Sequence, residues 1–216
     1  WKLDAESNDE SYRTLRRKTE ELLADDFGRM EAGALTDLLQ HQDMRVRQKA
    51  QFGLATRNEA DLLLESIEQR EHQLQRIHGI WGIAQIARRD ADAAESLMAY
   101  LDDEDPEIRA QITKMLGDVR YEPATDALIT KLQDESLRVR LLATEALGRL
   151  AWAPAFDPII DLLEENNDED VYLRHAGAIA LERIGDEQKL TDLGGVVAAA
   201  AHELGTPLAT IKLTSS

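Results

Sequence analysis

A chain of 216 residues with a formal charge of −17, 43% hydrophobic residues and no cysteine has the length of one domain or one extended array, and enough apolar content to fold. The absence of cysteine excludes disulfides, thiolate zinc sites, cysteine nucleophiles and covalent c-type haem. Acids outnumber bases 42 to 25, so the whole-protein field repels nucleic acid and anionic membranes, and no apolar run approaches the ~20 residues that span a bilayer.

The chain starts WKLD, without an initiator methionine or a signal-peptide pattern, and is expected to be a segment of a larger protein. It carries no targeting segment that would assign it to the cytoplasm or the periplasm. Residues 1–29 are irregular. Arg13, Arg16, Arg17 and Lys18 form the one basic cluster, and Leu15, Leu22, Leu23 and Phe27 would give an amphipathic helix that caps the open end of the first repeat.

From residue 30 the chain repeats itself. The segments VRQKAQFGL (46–54), QRIHGIWGI (75–83), IRAQITKML (108–116), VRLLATEAL (139–147) and LRHAGAIAL (173–181) align on an arginine followed by small or apolar residues. Arg47, Arg76, Arg109, Arg140 and Arg174 are separated by 29, 33, 31 and 34 residues, a near-constant period that signals a helical solenoid. Each segment is preceded by an apolar stripe at helical offsets, such as Leu35, Leu38 and Leu39, or Leu128, Ile129 and Leu132. Polar turns separate the two helices of each pair, and Asp43, Asp105 and Asp170 stand four residues before the repeat arginine. Asp105 followed by Pro106 reads as an N-cap with proline at the first helical position.

These marks, together with Leu116-Gly117 and Leu147-Gly148, resemble HEAT repeats of the PBS-lyase-like type over an array of about five helix pairs at 30–189. The resemblance implies an all-α fold, a right-handed α-α superhelix. It also implies that the aspartates cap the second helices and that the arginines reach acidic groups near a neighbouring turn, a ladder that sets stacking register. RIHGIWGIAQIAR (76–88) and VYLRHA (171–176) further resemble the HEAT segment of large exported bacterial proteins that join a propeller, HEAT repeats and a c-type cytochrome. With no propeller pattern and no Cys-x-x-Cys-His here, neither redox activity nor haem carries over.

Enzymatic chemistry finds no support in residues 1–186. A di-iron site would need several His-Glu pairs converging on one point. His41, His72, His78 and His175 are scattered, and none is followed by glutamate. The acidic runs at 102–105 and 166–170 lack the spaced ligands and central glycine of an EF-hand, and no glycine-rich phosphate loop is present. No metal or cofactor is expected. A protein partner is expected on the face of the second helices, where Gln48, Gln51, Gln111, Lys114, Thr144 and Glu145 are surface candidates. Trp152, in the loop AWAP, is the aromatic interface candidate, while Trp81 reads as core.

The last part, 190–216, departs from the repeat. Over 196–216 it resembles the dimerisation helix of sensor histidine kinases, its redox-responding branch in particular. His202 matches the phosphoacceptor, Glu203 the adjacent acid, and Thr206-Pro207 the Thr-Pro pair. The resemblance implies that the His202 imidazole attacks a γ-phosphate while Glu203 orients the ring and accepts its proton. The second hairpin helix and the ATP-binding domain have no counterpart here, so this chain is not expected to phosphorylate itself. Such a helix, marginal alone, would pack on the last repeat or associate with another copy. The expectation is a non-enzymatic HEAT-repeat scaffold, with phosphorylation of His202 in trans as the alternative.

Overall fold

The computed structural model describes residues 10–185. All regular elements among them are helices. They fall into two compact units, one up to Ala93 and one from Ala94 onward.

The first unit holds α1 (Glu10–Ala24), then the pair α2 (Ala32–Leu38) and α3 (Met44–Thr56), then the pair α4 (Ala60–Ile67) and α5 (Gln73–Ala87). Asp43 starts α3 by accepting the Arg45 N–H at 2.8 Å. Asn58, in the left-handed region at φ 60°, follows the end of α3 and turns the chain toward α4. Apolar side chains at helical spacing close the core: Leu35 from α2 and Leu39 just past its end, Val46 and Leu54 from α3, Leu63 and Ile67 from α4, Ile80 and Ile83 from α5. Helix α1 is tied to the repeats through Lys49, whose Nζ donates to the Leu23 carbonyl at 2.7 Å and lies 5.0 Å over the Phe27 ring.

The second unit opens within a ten-residue 3-10 helix, Ala91–Tyr100, which precedes α6 (Pro106–Asp118). Sequence periodicity reads that first element as an ordinary helix. The tighter turn fits the three-residue spacing of buried Ala94 and Leu97, which places both on one line facing the core. Next come a short 3-10 turn (Glu122–Ala124), α7 (Thr125–Thr130), a second 3-10 turn (Lys131–Gln133) and α8 (Leu137–Leu150). The turn Ala153–Ala155, α9 (Phe156–Asn166) and α10 (Val171–Ile184) complete the described chain. Ala151, Asn167 and Gly185 adopt left-handed φ values of 50°, 41° and 71° and end α8, α9 and α10.

In this unit α6 packs on α8 and α8 on α10 at very short range. Gly117 of α6 faces Ala146 of α8, and Gly148 of α8 faces Ala180 of α10. The glycines are needed because a side chain there would meet backbone of the next helix.

Candidate interaction surface

The start of each second helix organises the polar groups of its repeat. In the first unit, Asp43 also binds the Arg45 guanidinium at 2.7 and 3.0 Å, and this hydrogen-bonded cation holds the Asp43 carboxyl down at about 2. Arg47 turns inward and is buried. Its Nη1 donates to the His41 and Gln42 carbonyls at 2.6 and 2.9 Å, and its Nε donates to His78 Nε2 at 3.1 Å. With Nε2 occupied as acceptor, His78 carries its proton on Nδ1, which donates to Gln51 Oε1 at 2.8 Å. Arg76 is buried too, and its Nε caps α4 by donating to the Ile67 carbonyl at 2.6 Å.

His78 is 2% exposed. Burial, and then the Arg47 charge, push its imidazole down to about 4. A depressed histidine contributes stability that is fully present above its unfolded value of 6.5 and is lost as the pH falls toward about 4, because the unfolded chain takes up the proton first. That gap is worth roughly 3 kcal/mol. Urea unfolding of wild type and His78→Gln between pH 7.5 and 4.5 should show the wild-type advantage shrinking by that order. An advantage that stays flat with pH would sink this assignment.

In the second unit, Asp105 caps α6 through the Glu107 N–H at 2.9 Å. Arg109, 6% exposed, grips both oxygens of Asp134 at 2.9 and 3.0 Å, reaches Glu135 at 3.0 Å, and donates to the Asp103 carbonyl at 2.8 Å. Arg140 pairs with Glu165 at 3.1 Å and Arg174 with Asp168 at 3.4 Å. Asp170 caps α10 by accepting from the Tyr172 and Leu173 N–H groups at 2.8 and 3.0 Å. Arg109 therefore reaches the turn of the following repeat, Arg140 the end of its first helix α9, Arg174 its own turn, and Arg47 a histidine on the next second helix.

Several surface expectations are corrected. Gln111 is buried and donates to Glu107 Oε1 at 2.7 Å. Gln51 and Thr144 are buried as well. The reason is that these helices are covered nearly all round: Ile108 through Thr113 of α6 are buried in unbroken succession, which defeats a one-face assignment. Lys114 is partly exposed but engaged with Asp118. Trp152 is half-buried, and its indole N–H has no acceptor among the described residues. Trp81 is only half-buried, with its ring edge-on to His78 at 5.0 Å and 73°. His202, Glu203 and Thr206 lie outside the described residues, as does the whole of 190–216.

The exposed apolar residues were not singled out from sequence. Met44, Leu74, Leu137 and Val171 are each about half or more exposed. Each stands at the first or second position of α3, α5, α8 or α10, and Pro106 holds the same place in α6. In sequence terms they lie three residues before Arg47, Arg109, Arg140 and Arg174, and two before Arg76. The repeat core is closed without them.

Among the described residues, no group of three or more His, Asp or Glu side chains is arranged to hold a metal ion, and no helix is long and apolar enough to cross a membrane.

Known proteins resemble this chain over very different lengths. A stretch of 41 residues, 19% of the chain, is 80% identical to the sensor histidine kinase RegB of Cereibacter sphaeroides. That stretch is only 8% of the kinase's length. Among solved structures, YibA of Escherichia coli is similar at a TM-score of 0.57 and 15% identity, over 92% of this chain and 75% of that one. An engineered protein is similar at 0.51 and 18% identity, over 82% and 92%. Identities this low speak for the helical-repeat fold alone. The HEAT-repeat family model matches residues 60–148 and 125–205, more than half of the sequence, so the recurring arginine, the capping aspartates and the stacked helix pairs belong to an α solenoid, and the chain is a member of the HEAT-repeat family.

Proposed function

We propose that this chain is a non-enzymatic scaffold, a segment of a larger protein that binds a protein partner through its repeats. The reading rests on one observation: bulky apolar side chains stand exposed at the same place in successive repeats, Met44 and Leu74 in one unit and Leu137 and Val171 in the other. Exposed apolar groups recurring in register, beyond what the core uses, are what a partner surface requires. The test is serine at all four positions in the full chain. Partners captured from a lysate of the source organism should be lost while helix content and melting temperature stay put. Capture that survives the four serines would remove this reading.

A second reading is favoured by the 80% identity over 41 residues to a sensor histidine kinase. On this reading His202 accepts a phosphoryl group in trans, with Glu203 and Thr206 assisting at the imidazole. Incubation with ATP and the catalytic domain of a sensor histidine kinase should then leave an acid-labile phosphate on the wild type and none on His202→Gln. An unlabelled wild type would dismiss it.

A further inference from the structure

On the reading that the chain is a scaffold, we propose that the cleft between the starts of α8 and α10 docks a basic amphipathic segment of the partner, one that sets a bulky apolar side chain between lysines or arginines. The cleft has a volume of about 570 Å³ and is lined by Leu137, Val171 and Tyr172 together with Arg140 and the three acids Glu165, Glu169 and Asp170. Leu137 and Val171 are half exposed and Tyr172 is 75% exposed. Gathering three large apolar groups on one open cleft costs solubility unless something covers them. Tyrosine adds large contact area at low entropic cost.

Charge selects the occupant. Glu165 is engaged by Arg140, and Asp170 is committed to capping α10. The Glu169 carboxylate has no cation among the described residues. The cleft wall is therefore net negative, in a chain that carries −17 overall, and an approaching basic segment is both steered in and matched on arrival. The wall is also preorganised. Asn166 clamps the acidic turn by donating to the Asp170 carbonyl and accepting the Asp170 N–H, both at 3.1 Å. Little ordering remains to be done on binding.

The probe is a fluorescein-labelled amphipathic peptide of lysine and leucine, titrated with the full chain at physiological salt and followed by anisotropy. One twin peptide carries glutamate for lysine, another serine for leucine. The lysine–leucine peptide should bind, and both twins should fail. Affinity should drop at least ~5-fold for the double variant Leu137→Ser/Tyr172→Ala and about threefold for Glu169→Lys. Phe52→Ser, a comparably exposed apolar position on α3 outside the row at the helix starts, should bind like wild type. Circular dichroism checks that each variant folds. Equal binding by the double variant would trace the affinity to overall charge and overturn the proposal, as would no binding at all. Partner capture that is lost with the four serines but blind to the peptide would sink the cleft assignment and leave the scaffold standing.

Discussion

Replacing Gly117 by valine should destabilise the second unit by about 3 kcal/mol or more, the upper end of what overpacking costs. A Cβ built on Gly117 would lie 2.4 Å from the Ala146 Cβ and 2.6 Å from its Cα. Neither atom can swing aside as a flexible side chain could, so α6 and α8 must separate. That separation would loosen Ile108, Ile112 and Leu116, all fully buried. Gly148→Val should behave alike, because its Cβ would stand 2.7 Å from the Ala180 Cα. Gly33 is the control: nothing lies within 4 Å of a Cβ there, so Gly33→Ala should be neutral or gain up to about 1 kcal/mol from helix propensity. Urea midpoints decide it, and a Gly117→Val protein as stable as wild type would contradict the α6–α8 spacing.

Arg109→Leu should cost about 3–5 kcal/mol, the loss typical of breaking a buried pair from one side. The Asp134 side chain is 6% exposed, so it would be left as a buried carboxylate without its cation. Arg109→Leu/Asp134→Leu should recover part of the loss and not all, since the Asp103 carbonyl also loses its donor. The pH dependence has a definite sign. Burial pushes the Asp134 carboxyl up, but the Arg109 guanidinium and the Ser136 N–H outweigh it and hold it below the usual range. The stability this contributes is present above the unfolded value of 3.8 and is lost as the pH falls through the lower folded value. In Arg109→Leu the burial is opposed only by the Ser136 N–H and the Lys131 charge, so the variant's deficit should narrow in acid. A deficit of the same size at pH 7 and pH 3 would mean that the carboxylate is not what Arg109 answers.

How much of this was legible in the sequence depends on the range over which each residue acts. The aspartate caps were legible because Asp43, Asp105 and Asp170 bind N–H groups two or three residues away. The arginine period was legible because each repeat places its arginine alike. The partner of Arg47 was not, since His78 lies 31 residues on and belongs to a different helix. The faces of the second helices were misread for a related reason. Amphipathicity assumes one wet side, and α5 buries Gln75 through Ile80 without a gap. Gln51, Gln111 and Thr144 are polar residues that the interior accommodates through side-chain and backbone bonds such as Thr144 Oγ1 to the Arg140 carbonyl at 2.9 Å. The exposed apolar row was visible as letters but carried no meaning until burial separated it from the core.

The glycine–alanine contacts give the second unit a modular grammar. Helix α8 offers Ala146 backward as a knob and Gly148 forward as a socket, so a helix of its kind can be copied and inserted between like neighbours without redesign. Gly117 and Gly148 both lie eight residues after the repeat arginine. In α10 that position is Glu182, and it is exposed. Helix α10 thus keeps the knob, Ala180, and lacks the socket. Duplication of an α8-type unit can lengthen such an array from within, whereas anything laid against the Glu182 side of α10 must keep a wider spacing and follow different rules of fit.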